Sequence, residues 1–257
     1  MENASPDAEP RLTLVLPAFN EEASLAGSLR LCTESLDRAG LADHEIIVVN
    51  DGSTDRTGEL AEAQAACDPR VRVIHHAANR GQSAAFLHGF ARARGRVVGW
   101  NGVDLPFHPG EIPRVLALID AGADVVVVQR RDRSAYGLLR RIISRANVWT
   151  LRLLFASPLN DHNFVQFFRR EVLGALPVRS RGVSTVTAEL IFRARRAGRR
   201  VATMTADYHP RRAGSSTISA GKVLHTVLET LRLRWILWCE RIRPPAAPPR
   251  PAGGPAT

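Results

Sequence analysis

The chain has 257 residues, 45% of them hydrophobic, which suffices for one sizeable core with a tail. Its formal net charge is +10, and Lys222 is the only lysine, so arginine supplies nearly all of the positive charge and the surface attracts phosphates. No run of about 18 apolar residues occurs and the opening MENASPDAEPR is polar, so neither a membrane-spanning helix nor a signal peptide is predicted, and the expected location is cytoplasmic. Cys32, Cys67 and Cys239 are odd in number and far apart, without C-x-x-C spacing, which argues against disulfides and zinc.

In chain order, Leu12 to Leu16, Glu45 to Asn50, Val71 to His75, Val97 to Asn101 and Asp124 to Gln129 are short runs rich in Val, Ile and Leu, read as buried strands. Helical patterns lie between them at Glu21 to Ala39, Thr54 to Ala66, Gln82 to Ala93 and Glu111 to Ala121. Strands alternating with helices predict an α/β fold whose mostly parallel sheet is covered by helices on both faces. Ligands of such sheets sit beyond the carboxyl ends of the strands. The segments there are polar: Pro17 to Glu22, Asn50 to Asp55, Asn79 to Ser83, and Trp100 to Pro109. Each taken alone is also compatible with a turn and a helix cap. Their recurrence after four successive strands points to a site.

Four stretches carry a resemblance: LVLPAFNEEASL, IIVVNDGSTDRT, NRGQSAAFLHGFARARG and VDLPFHPGEIPRVL. Together they resemble the successive signatures of family 2 glycosyltransferases, over roughly residues 12–216. The resemblance implies a GT-A fold, a Rossmann-like sheet that binds a nucleotide-sugar and transfers the sugar with inversion. The downstream half, with Arg141 to Asn147, Asp161, Phe164, Phe167 to Arg170, Glu189 and Arg211 to Ser216, is similar to the polyprenyl-phosphate branch that includes dolichol-phosphate mannose synthase. The expected organisation is a flexible N-terminus over 1–10, the glycosyltransferase domain over 11–217, an amphipathic helix over 218–243 and a disordered Pro/Ala/Gly tail over 244–257.

Carried over by resemblance, Pro17, Ala18, Asn20 and Glu21 surround the nucleotide base and ribose, and Asp51 contacts the base or ribose side. Gly81 heads the third helix, where free N–H groups suit a diphosphate, and Arg80 adds charge there. Arg130 or Arg131, Arg141, Ser144, Arg211 and Ser216 match positions that meet phosphates of donor or acceptor, with Arg211 counted as catalytic. The metal-binding and catalytic acid is Asp104. Relatives carry Asp-x-Asp, whereas this chain has Gly102 at the first position, and Pro106 stands where a further ligand is expected. A Mg²⁺ or Mn²⁺ ion held by Asp104, the diphosphate and water remains compatible with octahedral coordination.

A hydroxyl acceptor needs a general base, whereas a lipid phosphate monoester with a second pKa near 6 arrives ionised. The chain lacks the Glu-Asp and Gln-x-x-Arg-Trp segments of processive synthases, which favours a polyprenyl phosphate; Glu189 and Asp161 stay open as bases or as structural acids. The alternatives are a glycan or small-molecule hydroxyl acceptor, and a non-catalytic nucleotide-sugar-binding relative. Two segments mix Leu, Ile and Trp with arginine, Tyr136 to Phe155 and Lys222 to Arg243, and read as helices lying peripherally on the cytoplasmic face of a membrane, or packing on the sheet or between protomers of a homo-oligomer. Nucleic acid is not an expected partner, because no recognition motif accompanies the charge.

Overall fold

The computed structural model describes residues 9–131, 138–208 and 220–242. Strand β1 (Leu12–Ala18) pairs in parallel with β2 (His44–Asn50) and with β4 (Val97–Trp100), and β2 pairs in parallel with β3 (Val71–His75). Beyond β4 the sheet continues through β6 (Val165–Arg169), antiparallel to both its neighbours, then β5 (Val125–Arg130) and β7 (Val201–Ala206), in the order β3-β2-β1-β4-β6-β5-β7. The five expected strands are present, within two residues at each end. Strands β6 and β7 have no counterpart in the sequence expectations, because VQFFR and VATMTA are short and show no clear period.

Alternate residues of the central strands pack to opposite faces. Leu14, Leu16, Ile46 and Val48 face the layer that holds α1 (Leu25–Arg38) and α4 (Ile112–Asp120). Val15, Ile47 and Val49 face α3 (Gln82–Arg92) and α7 (Val183–Arg196). Both faces being covered, the strands read as continuous apolar runs. Helix α3 lies close against β1: a Cβ on Gly89 would overlap the Val15 side chain, so glycine permits the approach.

Helices α1 and α2 (Thr57–Cys67) start three to four residues later than their periodicity suggests. The cause is cross-loop hydrogen bonding. The Glu21 N–H donates to Thr57 Oγ1 (2.8 Å), the Glu22 N–H to Asp55 Oδ2 (3.2 Å) and the Arg56 N–H to Glu22 Oε2 (3.1 Å). Backbone donors that would open each helix are thus committed to the neighbouring loop.

At the opposite end of the sheet, the buried Glu45 binds three elements at once. It accepts from the Thr13 hydroxyl (2.7 Å), the Arg94 amide (3.0 Å) and the guanidinium groups of Arg72 (2.6 Å) and Arg94 (2.8 Å). Burial pushes its carboxyl pKa up, but these hydrogen bonds outweigh burial and hold it below the ordinary value. A carboxyl depressed in the folded state contributes stability that is present above its unfolded pKa, about 4.3, and lost as pH falls through the folded value. Glu45→Gln therefore flattens the acid limb of the stability curve below about pH 4.5 and costs about 2 kcal/mol at neutral pH. Urea midpoints recorded against pH for both proteins check this; parallel curves would refute it.

Two long helices complete the chain. Helix α5 (Leu138–Phe155) and helix α8 (Ala220–Ile242) meet α7 through Leu151, Phe192, Leu233 and Leu237, with Phe155 stacked on Phe192 at a 4.3 Å centroid separation. The α7–α8 contact also contains a buried charge network. Glu189 accepts from the N–H groups of Arg179 (3.1 Å) and Ser180 (2.7 Å) and from Arg193 Nε (2.7 Å), while the other nitrogens of Arg193 reach Glu240 at 2.7 and 3.0 Å. The segment expected as a separate amphipathic helix is thus packed on the domain along one face. Among the described residues, no helix is long and apolar enough to cross a membrane.

Candidate active site

The strand order reverses between β1 and β4, so the crevice of this sheet opens beyond the ends of those two strands. The β1 exit carries Pro17 and Ala18 opposite Val49 and Asn50 of β2, and the Asp51 N–H donates to the Ala18 carbonyl (2.8 Å). Asn20 then adopts a left-handed conformation (φ 54°), which Asn tolerates better than most residues. Its N–H donates to Ser53 Oγ (3.0 Å) and its Oδ1 accepts from the Thr54 N–H (2.9 Å). Two of the polar strand-end segments are therefore one hydrogen-bonded unit.

Asp51 joins the third segment to that unit. Its carboxylate accepts from the N–H groups of Arg80 (2.9 Å) and Gly81 (2.8 Å), and its Oδ1 lies 2.7 Å from His76 Nδ1. Gly52 makes the closure possible: it has φ 69°, and a Cβ there would come within 2.5 Å of the Ala78 backbone. At 3% exposure the Asp51 carboxylate faces inward, which differs from the direct base or ribose contact expected of it. The Gly81 N–H, expected to be free for a diphosphate, is likewise taken by Asp51. The donors left at the head of α3 by helix geometry are those of Gln82, Ser83 and Ala84. The Arg80 side chain is exposed.

Behind Asp51 stands a histidine pair that sequence reasoning missed. His76 Nε2 lies 2.9 Å from His88 Nδ1, and the two rings stack at 5.1 Å. Burial, then the neighbouring His76, Arg92 and Arg80, hold the His88 pKa below its usual value. The pair was not visible in sequence because His76 follows β3 and its partner His88 comes from the second turn of α3, and only the packing of α3 on the sheet brings the two rings together.

Asn101, at the end of β4, shapes the fourth segment. Fully buried, it donates from Nδ2 to the Phe107 carbonyl (2.7 Å) and accepts the Gly102 N–H at Oδ1 (3.0 Å), closing the 102–107 loop into a compact turn. Leu105 within the turn has φ 46°, a left-handed conformation unfavourable for a branched side chain and held by the buried frame around it. Asp104 is half-buried, and its carboxylate folds back over Gly102, so that a Cβ at Gly102 would overlap Asp104 Oδ1. The one acid occupies space that a side chain at position 102 would otherwise fill. His108 is directed elsewhere: its Nδ1 accepts the Gly110 N–H (3.0 Å) as the cap of the short helical turn Pro109–Glu111.

Among the described residues no group of three His, Cys, Asp or Glu side chains is arranged to hold a metal ion. A single carboxylate nevertheless suits a hard divalent cation, whose remaining positions are normally filled by phosphate oxygens and water. The residues present thus fit Mg²⁺ or Mn²⁺ together with a bound diphosphate.

The arginines after β5 divide. Arg130 turns inward, 3.4 Å from the buried Asp161, donates to the Asn163 carbonyl (3.3 Å), and lies over the Phe164 and Tyr208 rings at 4.6 and 5.4 Å. Arg131 is exposed and, among the described residues, pairs with the exposed Asp207 at 3.4 Å. Of the two, Arg131 is the one accessible to a phosphate. Arg211 and Ser216 lie outside the described residues, as do the side chains of Arg141 and Ser144 on α5.

A doubly wound α/β sheet with polar loops clustered at its switch point has the architecture of the GT-A fold. The pattern of glycosyl transferase family 2 matches residues 13–174, and the chain belongs to that family. Its relatives include the undecaprenyl-phosphate 4-deoxy-4-formamido-L-arabinose transferases of Edwardsiella ictaluri, 37% identical over 168 residues (64% of this chain, 51% of the relative), and of Pectobacterium atrosepticum, 33% identical over 168 residues (64% and 50%). The chain spans about half the length of these curated relatives. Among solved structures, glucosyl-3-phosphoglycerate synthase from Mycobacterium tuberculosis in complex with Mn²⁺, UDP-glucose and phosphoglyceric acid superposes with a TM-score of 0.66 at 25% identity, covering 88% of this chain and 79% of that one. The same enzyme with Mg²⁺ and UDP gives a TM-score of 0.64 at 24% identity, over 88% and 79%.

Proposed function

We propose that this protein transfers a sugar from a UDP-sugar to a polyprenyl phosphate at a membrane surface. The observation that carries the choice of acceptor is the state of the two acids that sequence reasoning left open as bases. Glu189 is fully buried among backbone donors and Arg193, and Asp161 is buried against Arg130. Neither is placed to take a proton from a hydroxyl. A phosphate monoester needs no such base, and the relatives named for undecaprenyl phosphate point the same way. UDP as the carrier follows the complexes of the structural neighbour.

In the reaction an acceptor phosphate oxygen forms a bond to the anomeric carbon as the bond from that carbon to the diphosphate breaks, with inversion. Negative charge grows on the departing diphosphate. Asp104 would hold a divalent ion, which when bound would supply Lewis-acid stabilisation of that charge. The N–H groups of Gln82 to Ala84 and the helix dipole of α3 face the same charge, and Arg131 stands at the acceptor side. Asp51 acts by holding the three loops in one frame.

Helices α5 and α8 supply the membrane contact. Trp149 (67% exposed) and Leu153 (86%) on α5, and Leu228, Leu231, Trp235 and Trp238 on α8, present large apolar side chains to solvent beside Arg145, Arg232 and Arg234. That composition suits burial at a headgroup boundary.

Thermal unfolding with UDP and GDP, each with Mn²⁺, Mg²⁺ or chelator, tests the donor; ligand at 100 times its Kd adds about 2.7 kcal/mol. Transfer assays with undecaprenyl phosphate, and with phosphoglyceric acid as a soluble acceptor, test the rest. The expected result is metal-dependent stabilisation by UDP and transfer to the lipid. Transfer only to the soluble acceptor overturns the acceptor assignment, nucleotide-dependent stabilisation without transfer to either acceptor leaves a non-catalytic nucleotide-sugar-binding relative, and no response to any nucleotide overturns the transferase reading.

A further inference from the structure

A groove of about 710 Å³ runs between the end of α5, the end of α7 and the second half of α8, away from the strand-end loops. Its floor is apolar, built on Phe192 and Leu237, and its walls include the exposed Leu153 and Trp238. Arg195, Arg196 and Arg234 line it as well. Arg196 donates to the Leu237 carbonyl (2.7 Å) and so braces α7 against α8. Arg195 and Arg234 are exposed and make no ion pair among the described residues. Like charges gathered over an apolar floor repel one another until an anion arrives, and guanidinium groups grip phosphate bidentately.

We propose that this groove binds an anionic phospholipid of the bilayer, with the headgroup phosphate held by Arg195 and Arg234 and the start of an acyl chain laid on Phe192 and Leu237. The assignment rests on the membrane reading of α5 and α8 and deepens it. Two observations select this occupant. Leu153 and Trp238 belong both to the groove and to the apolar face proposed to enter the membrane, which places the arginines at headgroup depth. The cationic rim above an apolar floor also matches the two halves of a phospholipid, whereas a soluble anion would leave the floor uncovered. No residue of the groove belongs to the crevice loops, so this lipid is distinct from the acceptor.

The test is flotation of the full chain with phosphatidylcholine vesicles containing or lacking phosphatidylglycerol, comparing wild type, the double variant Arg195→Gln/Arg234→Gln, and a charge-matched control, Arg30→Gln/Arg38→Gln on α1. With phosphatidylglycerol the groove variant should bind about thirtyfold more weakly than wild type, as two arginines at an anionic surface imply, and the control within about threefold. Wild-type binding should survive millimolar inorganic phosphate, and UDP-dependent thermal stabilisation should be unchanged in all three proteins. No weakening in the groove variant while wild type binds would overturn the groove and leave the membrane reading intact, whereas equal weakening in groove variant and control would overturn both. Loss of binding on adding inorganic phosphate would overturn it in favour of a free-anion site. Groove-dependent binding by a protein inactive on polyprenyl phosphate would sustain the lipid site and refute only the acceptor.

Discussion

Asp104→Asn should lower kcat for sugar transfer by about 10³-fold, roughly 4 kcal/mol of transition-state stabilisation, with little change in stability without ligand. The size of the effect follows from the site. Position 102 is glycine and His108 caps its own turn, so no second side chain of this loop is placed to take over. Asparagine keeps the size and one oxygen but removes the charge that attracts a divalent cation. The Mn²⁺-dependent part of the thermal shift with UDP should therefore vanish along with activity, while any metal-independent shift persists. Steady-state kinetics and unfolding with and without chelator measure both. A loss under about tenfold would move charge stabilisation to the arginines and the head of α3.

Glu189→Ala should be the most damaging single change to the fold outside the apolar core, costing about 3–5 kcal/mol. Arg193, at 7% exposure, would keep Glu240 as its one charged partner among the described residues, and the Arg179 and Ser180 N–H groups would lose their acceptor. At this chain length the melting temperature should fall by about 10 °C. Urea midpoints for Glu189→Ala, Glu240→Ala and the double variant check the account, because the two acids share Arg193 and their effects should be non-additive. Glu240 is the outer partner: Arg193 holds its carboxyl pKa below the usual value against burial. A cost under about 1 kcal/mol for Glu189→Ala would reopen Glu189 as a group available for chemistry.

Strand β1 to strand β5 were legible in the sequence because each is a short run rich in Val, Ile and Leu bounded by polar or glycine-bearing turns, the pattern of strands in a sheet covered on both faces. The polar residues after them marked the site for the same topological reason. Strand β6 was not legible: its pairing partners, β4 and β5, are remote along the chain, and antiparallel insertion leaves no local signature. Helix α7 carries Thr185, Thr187, Glu189 and Arg193 in its buried stretch, which blurs its apolar stripe.

The sequence by itself determined the alternation of strand and helix, the family resemblance and the candidacy of Asp104, since those depend on apolar period and on residue identity at motif positions. Only the tertiary structure decided where the polar groups point. It turned Asp51 inward onto His76 and the head of α3, took Arg130 out of reach by setting it against Asp161, and closed Glu189 inside the α7–α8 contact. It also placed Arg195 and Arg234 beside Leu153, residues from three helices with no shared motif. A buried charge must find its partner wherever the fold brings one near, and that partner is set by packing between elements remote in the chain, which no local pattern records.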